Sequence, residues 1–255
     1  MNIQNAVAYR GPMLVWLASN MVTMIVFISL WLSADSTSGI IAGLSKSQLV
    51  TYYLTGLWLQ WIAGWYPMWI KDQIKNGSIA SDTFTRPINF YWKIFFIELG
   101  WHLVSIWVGL TAMLILGYFF FPYLVLQITL VSGISIVAAI IVAIFVTYTI
   151  SVNIGLAAFW LTQSESLEGL FWAGRSVFGG ESIPIALFPA SFLTVIKFLP
   201  FRYMYSFPLE LMLGNLGQSE IIFGFGMGIV WVLILGIIYR ILWKYGTRNY
   251  TCAGV

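Results

Sequence analysis

Apolar residues in this chain come in runs too long for a fold that faces water. Residues 13–32, 48–70 and 94–120 are each predominantly apolar. Each is about as long as the roughly 20 residues a helix needs to cross a hydrocarbon core of about 30 Å. From 121 to 161 the chain stays apolar with no charge until Glu165, which predicts at least one long helix near 134–161. Residues 221–243 form a last clean span. The stretch 168–208 is different: apolar, but interrupted by Gly179-Gly180 and by Pro184, Pro189, Pro200 and Pro208. Proline removes a backbone donor and clashes with the preceding turn. Broken backbone at membrane depth is tolerated only where protein or water satisfies it. The pattern therefore predicts a helix over 168–180 that crosses in part, then short re-entrant or interfacial helices over 182–208.

Composition agrees with this pattern. Hydrophobic residues make up 60% of the 255 and charged residues 8%, against roughly 25% charged in soluble domains. Mean hydropathy is +0.89. The predicted class is an all-α polytopic membrane protein with one transmembrane domain over 1–255 and lipid as its solvent. A transmembrane β-barrel is excluded, because its strands would alternate apolar and polar residues. Residues 13–32 are too long for the apolar core of a signal peptide, so they read as an uncleaved first helix. Cys252 is the single cysteine and permits no intrachain disulfide.

Charge placement sets an orientation. Arg10, Lys71, Lys75, Arg86, Lys93, Arg240, Lys244 and Arg248 fall on one side if there are six crossings. Lys46, Lys197 and Arg202 fall on the other, and Arg175 is ambiguous. Cytoplasmic loops carry the excess of Lys and Arg, so both termini are expected in the cytoplasm. The net charge of +3 includes no long run of like charge, and no nucleic-acid partner is expected.

The chain lacks the motifs of self-sufficient chemistry. There is no phosphate-binding G-x-x-x-x-G-K-[ST] and no H-E-x-x-H. One histidine with one cysteine builds no ordinary zinc site. No catalytic residues, metal or bound cofactor are expected, and energy must come from a partner protein or an ion gradient.

Four features are candidates for function. The polar segment 71–93 mixes charges with Ile74, Ile79 and Phe84 and ends near Arg86-Pro87. It suits a short amphipathic helix and a turn, either a docking surface or a solvated loop. Glu98 and His102 share one face of the third span. Ionisable groups in a membrane usually face a bundle interior or a wet cavity, so the pair is either structural, bonding a neighbouring helix, or a polar contact on a transport path. Trp58, Trp61, Trp65 and Trp69 recur on one helical face, as packing and interfacial anchors or as an aromatic lining. Gly224, Gly226 and Gly228 include a G-x-x-x-G that lets helices approach closely, within the subunit or across a dimer.

Two segments carry a resemblance. Residues 74–92, IKNGSIASDTFTRPINFYW, place Ile and Gly before a short helix ending in Arg-Pro. Residues 164–214 place Ser164-Glu165, Gly179-Gly180, Ile183-Pro184, Phe188-Pro189, Leu199-Pro200-Phe201, Tyr205, Pro208 and Leu213-Gly214 in order. Together they resemble the permease subunits of type-2 ABC exporters, closest to a branch of uncharacterised transport-system permeases. That family usually has Leu-Leu before Arg-Pro, where this chain has Thr83-Phe84-Thr85. The resemblance implies six transmembrane helices with both termini inside, in a bacterial inner membrane. It implies a second permease, identical or paralogous, and two copies of a separate ABC ATPase that binds ATP and Mg. Segment 71–93 would be the coupling element, with Ile79, Asp82, Phe84 and Arg86 docking the ATPase. The region holding Gly180, Pro184, Pro189 and Pro200 would be the extracellular gate. An ion-gradient-driven secondary transporter is the main rival reading, since broken helices suit that class too. A membrane-embedded enzyme is a third.

Overall fold

The computed structural model describes residues 10–34, 40–41, 43–84, 88–125, 130–161 and 163–250. Its order is α1 (Arg10–Ser33), a minimal hairpin β1 (Ile40–Ile41) and β2 (Leu44–Ser45), α2 (Lys46–Ala63), α3 (Ile70–Lys75), a π-helical turn (Ala80–Phe84), α4 (Phe90–Phe119) and α5 (Leu130–Leu156). Then follow α6 (Glu165–Phe178), α7 (Ala190–Ile196), α8 (Pro200–Met204), α9 (Ser206–Met212) and α10 (Gln218–Asn249). Four helices among the described residues are long and apolar enough to cross a membrane: Val15–Ser33, Phe90–Phe119, Leu130–Phe159 and Gln218–Arg248.

The second apolar run gives a shorter helix than its length predicts. Helix α2 starts on a capping box in which the Ser45 hydroxyl accepts from the Gln48 amide at 3.1 Å and the Gln48 side chain accepts from the Ser45 amide at 2.9 Å. It stops at Ala63 rather than running to residue 70. Pro67 has no amide hydrogen and disfavours helix at Tyr66, and the chain turns through Gly64–Trp69 before α3 begins. Helix α2 is buried on nearly every side, including Thr51, Thr55 and Tyr52. It is surrounded by protein and tolerates polar residues that a lipid-facing helix would not.

Helix α5 is the hub of the bundle. It packs along α10 and also touches α2, α3, α8 and α9. One apolar core joins α1, α2, α5, α8 and α9 through Ile28, Leu54, Leu57, Ala139, Ala143, Tyr205 and Phe207. A second, at the other end, joins α3, α4 and α5 through Ile70, Ile74, Ile79, Phe90, Ile94 and Leu156. Gly109 admits the Trp61 ring so closely that a Cβ there would lie 2.5 Å from it. Gly224 and Gly228 are filled by Phe207 of α9 and Val142 of α5. The G-x-x-x-G therefore packs helices of this same chain. Large apolar side chains such as Trp107, Leu114, Leu233 and Ile237 point outward on α4 and α10, where lipid would cover them.

The prolines of the broken region start helices instead of interrupting them. Pro184 precedes a 3-10 turn (Ile185–Leu187), Pro189 precedes α7, and Pro200 opens α8. These are positions where the missing amide hydrogen has no helical partner to lose.

Candidate functional site

Three arrangements stand out, and each begins on α2 or α3. The first lies where α3 meets the start of α6. Lys71 Nζ is 2.7 Å from Glu168 Oε1, and Lys75 Nζ is 3.3 Å from Glu165 Oε1. Two successive basic residues of α3 thus grip the first turn of α6, where carboxylates also favour the helix dipole. The hydrogen bond that Lys71 donates to Glu168 raises the Lys71 amine above its ordinary range. Glu165 is held below the usual carboxylate range by its own backbone N–H and by Lys75. The Tyr250 hydroxyl, just past α10, donates to the Ile74 carbonyl at 2.8 Å, so α3 is tied to the end of the chain as well.

Of the residues expected to dock a partner here, Ile79 is fully buried in the second core. It anchors the turn from beneath rather than presenting itself to a partner. Asp82 and Phe84 lie in the π-helical turn, with their side chains outside the described residues. Arg86 lies outside the described residues altogether. The segment holds two short helical pieces: α3 at its start, and the π-helical turn Ala80–Phe84 just before the Arg-Pro pair.

The second arrangement surrounds His102. Glu98 and His102 share a face of α4, but their side chains do not bond each other. The Glu98 carboxylate accepts from the Trp69 indole at 2.7 Å. The His102 ring sits between the Glu98 carbonyl at 3.0 Å and the Gly64 carbonyl at 3.1 Å. Both partners of the pair therefore tie down the irregular link between α2 and α3. Trp65 stacks on His102 at 4.5 Å and on Phe95 at 4.6 Å. The tryptophan series does not line one helical face, because α2 ends before Trp65. Trp61 packs against Gly109 of α4, Trp65 is buried against α4 and α5, and Trp58 is half-buried. The irregular link was unreadable from spacing; Pro67 was its one signal.

The third arrangement is the break after α6. Gly180 takes φ +84°, a left-handed conformation that costs other residues strain. The carbonyls that the broken helix leaves without helical partners are satisfied from α2 and α9. The Tyr52 hydroxyl donates to the Gly180 carbonyl at 2.7 Å and the Tyr53 hydroxyl to the Ser182 carbonyl at 2.8 Å. The Ser206 amide donates to the Gly179 carbonyl at 3.1 Å. Beside the break, Arg175 of α6 pairs with Glu181 at 3.1 Å and is buried, while Gln60 of α2 donates to Glu181 at 2.7 Å. Further on, Arg202 of α8 pairs with Glu210 of α9 at 2.7 Å. Arg175, the charge that the orientation leaves unassigned, is buried beside the break.

Chemically, these arrangements are ion pairs and hydrogen bonds that hold and orient the elements they join. Among the described residues, no three His, Cys, Asp or Glu side chains converge to hold a metal ion.

Residues 18–254 match the family model described as ABC-2 family transporter protein. Neither the curated proteins nor the solved structures give a match to this chain.

Proposed function

The chain belongs to the ABC-2 transporter family and is a membrane-embedded permease component of an ABC transporter, and from that premise we propose that it is the non-catalytic half of an ATP-driven exporter. In this reading it forms the translocation path with a second permease, identical or paralogous. Two copies of a cytoplasmic ATPase carry ATP and Mg and dock on segment 71–93. Six crossings put both termini in the cytoplasm of a bacterial inner membrane, with α2 and the leg through α6 as the crossings that are less apolar than the rest.

One observation carries the proposal: α3 is joined by ion pairs to the start of α6, and α6 ends at the stapled glycine break. A displacement of the basic inner segment would reach α6 through Lys71 and Lys75. A helix transmits such a shift along its axis as a rigid body. Its 14 residues span about 21 Å, so the motion would arrive at Gly179-Gly180. There the break, together with the turns opened by Pro184, Pro189 and Pro200, would open or close the outer end. Ile79 supports the docking segment from beneath, while Asp82, Phe84 and Arg86 are the proposed contacts.

The test is co-purification with an ABC ATPase from the same cell, followed by Arg86→Glu. The charge reversal should abolish transport while the chain still reaches the membrane. Unchanged transport would remove Arg86 from coupling. Transport that survives ATP depletion and collapses with the ion gradient would replace the whole reading by a secondary transporter.

A further inference from the structure

Between the start of α4 and the C-terminal third of α10 lies a cavity of about 290 Å³, with Thr83, Ile88, Asn89, Phe90, Arg240 and Trp243 in its lining. Ligand sites run to roughly 300–1,000 Å³, so this one is of a size for a headgroup rather than a whole lipid. The Phe90 and Trp243 rings, stacked at 4.4 Å, form part of its wall. It opens to the surface, since Ile88, Asn89 and Arg240 are all exposed. Its polar groups are donors. The Arg240 guanidinium has no ion pair or hydrogen bond among the described residues. Asn89 uses its side-chain oxygen to accept from the Tyr91 amide at 3.0 Å, which leaves its NH2 group to donate. Lys93 Nζ donates to Thr83 Oγ1 at 3.3 Å, so a second cation stands beside the cavity. The N-terminus of α4 opens here with no acidic residue in its first turn, and a helix dipole favours negative charge at that end. No carboxylate is among the described lining residues. The chemistry is that of an anion site.

Depth in the bilayer selects the anion. Glu220 and Arg240 bracket the uncharged run of α10 and stand 20 residues apart. At about 1.5 Å per residue that is roughly 30 Å, one hydrocarbon thickness, so Arg240 lies at headgroup level. On the same face of α10, Ile237 and Ile241 are 58% and 50% exposed, and Lys244 follows one turn later. Apolar side chains that suit acyl chains thus lead straight to cations that suit a phosphate. We propose that Thr83, Asn89 and Arg240, with Lys93 beside them and Lys244 one turn further along α10, hold the headgroup of an anionic phospholipid. Basic pockets between transmembrane helices at the cytoplasmic surface take such headgroups. A lipid seated here touches both the docking segment and α10, and braces the one against the other. The side of the membrane rests on the permease reading; the chemistry of the cavity does not.

The test titrates the purified full-length chain in detergent with dioleoylphosphatidylglycerol or dioleoylphosphatidylcholine and reads bound lipid by native mass spectrometry. The anionic lipid should bind more tightly than the choline lipid. Arg240→Gln should weaken it by about fivefold, as for one basic residue at an anionic surface. Asn89→Asp keeps the oxygen that caps the Tyr91 amide but sets a carboxylate in the cavity, and should weaken binding at least as much. Arg248→Gln, two turns further along α10 and outside the cavity, should leave the affinity close to the parent's. Equal affinity for the two lipids, or an equal loss in Arg240→Gln and Arg248→Gln, would overturn the proposal in favour of general attraction to the basic end of α10. Soluble glycerol phosphate should not bind at the same concentrations. If it binds as well as the lipid, the cavity serves a free phosphate ester and the proposal falls; it falls too if no probe binds. No ATPase is present, so failure here leaves the docking reading standing, and failed co-purification leaves the lipid result standing.

Discussion

Lys71 and Glu168 lie 2.7 Å apart, Nζ to Oε1, across the gap between the short helix that follows α2 and the first turn of α6. They sit far apart in sequence, yet they join the polar segment after α2 to a helix that ends at a glycine break. If that junction transmits motion, Lys71→Glu should uncouple transport from ATP hydrolysis, and so should Glu168→Lys. The double exchange should recover part of the loss. Transport and ATPase activity of the reconstituted complex measure this, and no recovery in the exchange would argue against a direct strut. The stability change should be small, about 0.5–1 kcal/mol, as for partly exposed ion pairs.

The junction should also respond to pH at both extremes. Lys71 has a raised pKa, so its contribution is present at neutral pH and is lost as pH rises through that raised value. Glu165 has a lowered pKa, so its contribution is lost as pH falls through that lowered value. Thermal midpoints recorded across pH should decline on both sides of neutrality. Lys71→Met should flatten the alkaline decline and leave the acid one.

At the break, Tyr52→Phe removes the hydroxyl that satisfies the Gly180 carbonyl and should cost about 1–3 kcal/mol. Gly180→Ala should cost about 1–2 kcal/mol from backbone strain alone, and its Cβ would lie 2.7 Å from the Tyr52 hydroxyl. Thermal unfolding in detergent compares the two. A neutral Gly180→Ala would mean that the break does not hold its left-handed turn.

Glu98 and His102 separate a structural role from a transport role by simple substitutions. Glu98→Gln keeps an oxygen to accept from the Trp69 indole, so stability and transport should stay close to the parent. Glu98→Leu leaves that indole unpaired and should destabilise by about 1–3 kcal/mol. A transport loss in Glu98→Gln at unchanged stability would instead reveal a charge requirement on the path.

Packing at Gly109 gives a last check on how α2 meets α4. A methyl group there would lie 2.5 Å from Trp61. Gly109→Ala should therefore cost about 1–3 kcal/mol, the usual range for an overpacked core. A smaller residue in place of Trp61 should restore part of it.

Much of the fold was readable along the chain, because each long apolar helix satisfies its own backbone and needs only lipid around it. The helices α1, α4, α5 and α10 appear where hydrophobic length alone places them. The irregular stretch after residue 180 was also readable, since glycine and proline act locally on the backbone. The end of α2 was not, because the apolar run continues past Ala63 and only Pro67 hints at the turn. The tryptophan stripe failed for the same reason: helical spacing has no meaning once the helix has stopped. The Glu98 and His102 pair was readable as far as its shared face. Which neighbouring backbone and indole it ties down, Gly64 and Trp69, was not, because the link between α2 and α3 has no pattern in the sequence.

From its sequence alone, the protein was committed to the membrane, to mostly helical legs and to a break near the glycine pair, because hydrophobic length and backbone permissiveness are properties of neighbours in the chain. Tertiary structure alone brought Lys71 to Glu168, Tyr52 to Gly180, and Gln60 to Glu181. Such pairings depend on which helix lies beside which, and a linear pattern carries no record of that when the partners stand a hundred residues or so apart and most of the intervening surface is equally apolar.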